Sequence, residues 1–594
     1  MKVLNKRIFI FKDNLKITQK CEKKYIFVVT IAIAFNFYPQ AIASQTNPIP
    51  SNFAIPNDLA PKVTPQTPPE PTKLPPPDRL FAPQNPLTPQ SPQVPPNSTS
   101  ELIVVKQFAV IGSSIFSDQD FQVITQAYTN RPISIIELFE VRTQITELYI
   151  ERGYITSGAY IPEQDLQSGI VQIQIIEGGI EELRVTGLNR LNEGYIQSRI
   201  AIATTKPLNR NRLLEALQLL QINPLIESIS ANLSPSLQAG LNNLEIKVTE
   251  AKTFSTQIGF DNSRTPSVGS ERRQIQMGEA NLTGLGDRLS LSYSNTNGSN
   301  AFDVSYTIPF NPYNGTISFN LGTSASNVIE SPFNLLDIAS NSRNYELTIR
   351  QPIFQNISQD LALGLTLNHR QSAASLLGGS IPFPSLGSDA NGQTKVTALR
   401  FFQEYVRRSA EEVFAARSQL SLGLNALGAT INAIAPDGQF LAWRGQTQYV
   451  RLLAPETLLF LRADLQLSDR PLLSQEQISL GGQDNLRGYR QDALLSDNGL
   501  LLSAEVRIPV LRIPEISGLL QVVPFVDFGT VWNQLANPNP DPSTLASVGL
   551  GLRLQISDRL TMRLDLGIPL SRISADKKTL QENGIYFSIS ANPF

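Results

Sequence analysis

Thiols and imidazoles are almost absent from this chain. Its 594 residues include one cysteine, Cys21, and one histidine, His369. That excludes a disulfide framework, the Cys/His sets that hold zinc and the histidine-assisted nucleophiles of hydrolases. No enzymatic activity, metal or cofactor is expected, and His369 reads as a polar barrel or loop residue. Long apolar runs are missing as well: beyond the N-terminus no segment approaches the ~20 residues of a spanning helix. With 17% charged residues and a mean hydropathy of −0.10, the composition fits neither a disordered chain nor a helical membrane protein.

The N-terminus departs from the rest. Eight Lys/Arg precede a short apolar core at 25–35, followed by Ala41-Ile42-Ala43, the small-x-small pattern of a signal peptidase site. Residues 1–43 are therefore expected to be a secretory signal, cut before Ser44. Its removal takes eight basic and two acidic residues, so the formal charge goes from 49 − 51 to 41 − 49, or −8. Nucleic acid is not a partner of such a chain, and Cys21 leaves with the signal. Residues 44–100 hold 17 of the 41 prolines. Fixed φ and missing N–H groups make them an extended, coreless linker.

Two units of similar layout follow, at 101–178 and 179–252. The first opens on a strand ending Phe108-Ala109-Val110-Ile111-Gly112. A capping box, Ser134 with Glu137, starts a helix on which Leu138, Val141, Ile145 and Leu148 recur at helical spacing until Gly153. Strands at 155–161 and 171–175 complete it. The second repeats the order: a strand at 183–187, a helix marked by Leu213, Leu217 and Leu220, and a strand at 244–248. Gly112 and Gly187 lie 75 residues apart, Glu177 and Glu250 lie 73 apart. An internal repeat of that size predicts two β-α-α-β-β modules in series.

From 253 to 594 the period changes to two. Leu289, Leu291 and Tyr293 alternate with serines; Leu459, Leu461, Ala463, Leu465 and Leu467 with Phe460, Arg462, Asp464 and Gln466; Val548, Leu550 and Leu552 with Gly549, Gly551 and Arg553. One face is aliphatic and the other carries charges and glycines. Sixteen candidate strands alternate short turns (284–287, 309–315, 409–411, 454–456, 557–558) with long loops (324–341, 369–393, 428–439, 468–497, 530–543, 571–583). An even strand number with short turns on one rim and long loops on the other predicts a 16-stranded antiparallel transmembrane β-barrel with lipid outside and polar side chains within. The chain ends on a strand at 585–590 and Phe594, which puts both barrel ends on the short-turn, periplasmic rim.

The eleventh connection contains QISLGGQDNLRGYRQDALLSDNG at 477–499. Gly481, Gly482 and Gly488 around Arg487 suit a loop whose backbone packs closely in a narrow place and delivers one guanidinium. Asp527 is its expected receiver: Val526 and Phe528 are apolar, so the carboxylate between them faces the lumen.

These segments, with GYITSGAYIPEQDLQSGIVQIQIIEG and IEELRVTG of the modules, NLTGLGDRLSLSYS of an early barrel strand, LRGY and PFVDFG, together resemble the haemolysin secretion/activation proteins of two-partner secretion. The resemblance runs from about 101 to 594. It implies two periplasmic POTRA modules and an outer-membrane barrel that exports a large, filamentous haemagglutinin- or haemolysin-like exoprotein. It further implies that Arg487 pairs with Asp527 inside the barrel, with Gly481, Gly482, Leu486, Gly488, Tyr489, Phe525 and Gly529 shaping the loop. Leu486 stands where valine is more usual, and the prolines of 44–100 disfavour the N-terminal plugging helix of many members. Outer-membrane lipid is an expected partner, and periplasmic chaperones fit as auxiliary ones. An outer-membrane assembly and insertion factor shares this plan and is the alternative.

Overall fold

The computed structural model describes residues 102–383, 385–534, 538–573 and 577–593. The expected signal, the proline-rich linker and Phe594 lie outside the described residues. Both modules are built alike. In the first, Gln107–Ile111 runs parallel to Ile170–Ile176, which pairs antiparallel with Gly158–Tyr160. In the second, Gly179–Thr186 runs parallel to Leu241–Glu250, which pairs antiparallel with Ile226–Pro235. The last strand is thus central in each sheet, and the other two are edges.

Helices α1 (Asp118–Thr125) and α2 (Ile135–Glu151) cover the first sheet, α3 (Glu193–Ala203) and α4 (Arg210–Gln221) the second. The α2 capping box forms as read, with Ser134 Oγ accepting from Glu137 N and Glu137 returning to Ser134 N. On α4, Leu213, Leu217 and Leu220 are all buried. On α2 the fully buried fourth residue is Tyr149 rather than Leu148, because its hydroxyl finds Ser113 Oγ at 2.7 Å while the ring packs on Phe116. The strand expected at 155–161 shrinks to Gly158–Tyr160, since Ser157 N donates to Tyr154 O and turns the chain before it can pair.

The repeat extends to a single carboxylate device. Glu177, just past the central strand of the first module, accepts from Ser114 N (2.7 Å) and Ser114 Oγ. Glu250 ends the second module's central strand and accepts from the N–H groups of Asn189, Arg190 and Leu191 at 2.8–3.0 Å. Burial raises the Glu250 pKa, but these three N–H groups and the Arg190 charge outweigh it and hold the carboxyl below its ordinary 4.5. A depressed folded pKa stabilises the loop above that value and loses it as pH falls through the lower one. Hydrogen exchange of residues 188–192, corrected for intrinsic rate, should therefore stay protected down to about pH 4.5 and weaken below it. A Glu250→Gln chain should lack that transition.

The same loop docks the second module onto the barrel. Arg190 Nη1 donates to Glu279 (2.8 Å) and Thr253 Oγ1 (2.9 Å), and Asn192 N donates to Gly284 O. Arg199, stacked on Tyr195, donates to Asn314 Oδ1 on the next turn. The NLTGLGD turn is the socket: a Cβ on Gly286 would strike the Tyr195 ring.

The barrel strands are β1 (Phe254–Asp261), β2 (Arg272–Ala280), β3 (Arg288–Asn295), β4 (Ser299–Pro309), β5 (Thr316–Asn327), β6 (Ala339–Gln355), β7 (Gln359–Leu376) and β8 (Gln393–Arg408). They continue as β9 (Glu412–Leu424), β10 (Leu441–Ala454), β11 (Thr457–Ser468), β12 (Asn498–Ile513), β13 (Gly518–Trp532), β14 (Thr544–Ile556), β15 (Leu560–Pro569) and β16 (Ile585–Ala591). Each pairs antiparallel with the next, and β16 pairs with β1, closing sixteen strands among the described residues. Tyr293, Leu461, Leu467, Val548, Leu550 and Leu552 face outward and are exposed, while Asp464, Gln466 and Arg400 are buried within. A closed wall pairs strand N–H and C=O groups with those of neighbouring strands, as a bilayer requires.

Two loop expectations change. The connections read at 324–341 and 369–393 contract to 328–338 and 377–392, because β5 to β8 continue their ladders past the rim. His369 is accordingly a strand residue, bonded to Thr397 Oγ1 at 2.9 Å. One long-loop-rim connection, 296–298, is a three-residue turn.

Candidate functional site

Residues 469–497 do not extend outward from the rim. They fold back into the lumen around a short hairpin, Ile478–Leu480 with Leu494–Ser496. A small apolar core holds the hairpin to the wall: Ile478, Leu480, Leu486, Tyr489 and Leu494 of the loop pack with Leu501, Val531 and Leu545 of β12 to β14. These inward leucine and valine side chains depart from the expected polar lining, and they do so where the loop excludes water.

Gly481 and Gly482 take φ of +109° and +114°, a region that side chains reach only with strain. They reverse the chain so that Arg487 points at β13. Its Nε and Nη2 donate to Asp527 Oδ2 and Oδ1, both at 2.8 Å, a bidentate fork, and its backbone N donates to Oδ2 at 3.1 Å. Nη1 donates to Glu505 Oε2 at 2.8 Å. Ser503 Oγ donates to Asp527 Oδ1 at 2.6 Å. Arg487 is 3% exposed and Asp527 0%. One guanidinium thus meets two carboxylates in a confined site, with Arg507 and Arg563 balancing Glu505.

Strand register explains the seat. Glu505, Phe525, Gly549 and Gly567 form one row across β12 to β15. Without side chains at 549 and 567 the wall is bare, and a Cβ on Gly549 would meet the Phe525 ring at 2.2 Å. The ring lies in that space, and the Arg487 guanidinium stacks on it at 3.5 Å from the centroid. A Cβ on Gly567 would lie 2.5 Å from Gly488 N and 2.8 Å from Gly488 Cα. Gly529 leaves the same kind of room for Leu480 and Leu486.

Past the arginine, Gly488 N donates to Tyr586 Oη at 2.9 Å, and that hydroxyl donates to Tyr489 O. Tyr489 Oη donates to Ala546 O at 2.7 Å. Arg490 then leaves the lumen floor and bridges two outer loops through Glu330 (2.9 and 3.0 Å) and Glu582 (3.1 Å).

All nine residues read from the sequence therefore meet in one place: Arg487, Asp527 and Phe525 touch directly, and Gly481, Gly482, Leu486, Gly488, Tyr489 and Gly529 build the surrounding turn and its seat. Glu505, Ser503 and Tyr586 were missed. Each occupies an inward position of a period-two segment, Ser503-x-Glu505-x-Arg507 and Tyr586-x-Ser588-x-Ser590, so the signal existed. Gly549 falls on the lumen-facing side of its alternation, but its part in the arginine's seat, like that of Gly567, is revealed only by cross-strand register. Among the described residues no group of His, Cys, Asp and Glu could hold a metal.

Comparison with known proteins places this arrangement. The family profile described as haemolysin secretion/activation protein ShlB/FhaC/HecB matches residues 240–554, and that of the POTRA domain, ShlB-type, matches 103–178. The second module falls outside the POTRA match, although its strand order repeats the first. Among curated proteins, the outer membrane transporter CdiB of Dickeya dadantii is 22% identical over 471 residues, covering 77% of this chain and 81% of the relative. The heme/hemopexin transporter protein HuxB of Haemophilus influenzae is 22% identical over 469 residues, covering 75% and 80%. Among solved structures, CdiB from Escherichia coli superposes with a TM-score of 0.64 at 21% identity, covering 85% of this chain and 93% of that one.

Proposed function

This chain belongs to the haemolysin secretion/activation protein family ShlB/FhaC/HecB, and from that premise we propose that it carries a large unfolded exoprotein across the outer membrane by two-partner secretion. The observation that supports it best is a closed barrel with a loop folded into its lumen. Sixteen strands enclose a space that an extended chain can thread, and the loop is held in it by side-chain contacts, chief among them the arginine seat and the apolar core beside it.

The barrel sits in the outer membrane, and the POTRA modules lie in the periplasm. We assign them residues 101–178 and 179–252, with the barrel from 253. Each module's sheet has two edge strands, and an extended client can join such an edge as an added strand with little demand on its sequence. The Glu250 loop and the NLTGLGD socket fix the second module under the periplasmic rim, so a captured segment is presented to the lumen. A filamentous haemagglutinin- or haemolysin-like client, with periplasmic chaperones delivering it, fits this scheme, and folding of the client outside supplies the drive.

The test is deletion of the gene with quantitative comparison of medium and outer membrane. One large secreted protein should vanish while the barrel population of the membrane stays constant. A general fall in outer-membrane barrels would instead support the assembly-factor reading.

A further inference from the structure

Besides the arginine seat and the half-buried Arg490 bridge, the loop carries a further buried ionic anchor. Eleven residues before Arg487, Glu476 of the same loop receives Arg400 Nη2 of β8 on both carboxylate oxygens at 2.9 Å. Arg370 of β7 donates Nη1 to Gln475 O at 2.8 Å, and its guanidinium lies 3.8 Å from the Glu476 carboxylate. Arg370 is 1% exposed, Arg400 8% and Glu476 7%. The polarity is opposite to that of the seat: here the loop supplies the carboxylate and the wall the guanidinia. The walls differ too, β7 and β8 for Glu476 against β12 and β13 for Arg487.

Neutral contacts concentrate at this anchor. Gln475 Nε2 donates to Thr394 Oγ1 of β8, and Gln466 Nε2 of β11 donates to Glu476 O at 2.9 Å. Leu472 and Leu473 pack into Val396 and Ala398 of β8 and Phe440 and Ala442 beside them. The anchor lies eight residues from Ser468, where β11 ends, whereas Arg487 lies nineteen residues from Ser468 and eleven from Asn498, where β12 begins. Eleven residues of chain can reach about 35 Å. The tip can therefore leave its seat and clear the lumen while Glu476 stays in place.

We infer that Glu476, with Arg400 and Arg370, is a fixed post for the loop, a set of positioning residues about which the Arg487 tip swings when the pore opens. This rests on the transport reading above. During opening the two wall guanidinia keep their counter-charge, so displacement of the tip breaks one buried ion cluster and not two. Separating both would leave four or more charges unpaired in a confined space, a large desolvation cost.

The test uses the full chain with Cys21, its only cysteine, replaced by serine. Glu476→Gln should raise the resting conductance of the purified protein in planar bilayers and lower exoprotein export, with heat-modifiable barrel assembly retained. Glu476→Arg combined with Arg400→Glu should restore both readouts. Thr394→Cys with Gln475→Cys, bridged by a short bifunctional thiol reagent and verified by mass spectrometry, should export at the unbridged level. An unchanged conductance and export in Glu476→Gln, no recovery in the charge-swapped chain, or a bridge that stops export would each overturn the post. Should the unaltered chain export no client, the transport reading fails, while the conductance measurements still decide the post.

Discussion

Arg487→Ala is expected to abolish export and to leave an assembled, heat-modifiable barrel. The substitution strips both Asp527 and Glu505 of their shared cation in a site where Asp527 is fully buried. Removing one partner of a buried ion pair costs about 3–5 kcal/mol, most of it the uncompensated charge left behind. That cost falls on the loop-in state alone, because with the loop displaced the carboxylates can be hydrated. The tip should therefore leave its seat and the resting conductance should rise. The strands pair through main-chain bonds that the substitution does not touch, so assembly persists. Arg487→Lys should not restore export: a point-charge ammonium cannot fork onto Asp527, reach Glu505 and stack on Phe525 together. Secretion assays alongside gel heat-modifiability check both outcomes, and normal export by the alanine chain would remove the arginine from the mechanism.

Gly567→Leu is expected to reproduce the same loss without changing a charge. Its first side-chain atom alone would sit 2.5 Å from Gly488 N and 3.0 Å from Arg487 C. Those are backbone atoms of a turn whose φ of +96° at Gly488 allows little adjustment. The tip would be pushed off β15, and the fork onto Asp527 would open although both residues remain. Gly259→Ala serves as the control, since Gly259 also lies in a barrel strand yet its added Cβ would meet nothing closer than 3.7 Å. A cysteine-free chain with a spin label on the loop would read the displacement directly. Equal loop positions in the Gly567→Leu and unaltered chains would show that the bare wall is incidental.

The two substitutions separate charge from shape, and the tertiary structure joins them in one row. The barrel strand that carries the receiver also carries the platform, Phe525, two residues before Asp527 and therefore on the same face. Its neighbours contribute only absence, glycine at 549 and 567. A seat made partly of missing side chains has no residue signature beyond the glycines themselves, so a sequence shows candidates and cannot say which pairs align.

What the sequence by itself determined is whatever depends on local period and composition. Alternation of leucine with serine, arginine and aspartate specifies which way each barrel strand faces, because successive side chains point to opposite sides. The Ser134 and Glu137 box starts its helix, and the 73-residue spacing of Glu177 and Glu250 marks the repeat, although the loops they hold lie 59–63 residues away and are shown only by the structure. Arg487 and Asp527 were legible as partners from one charged residue in a glycine-rich run and one carboxylate between two apolar neighbours.

The tertiary structure decided everything that needs two distant segments in register. It placed Glu505 and Tyr586 on the arginine turn, lengthened β5 to β8 beyond their expected ends, and turned leucine and valine side chains inward against the loop. It also seated Glu476 between Arg370 and Arg400. The reason is that cross-strand neighbours follow from how sixteen strands stagger on closure, a property of the whole wall that no single stretch of chain contains.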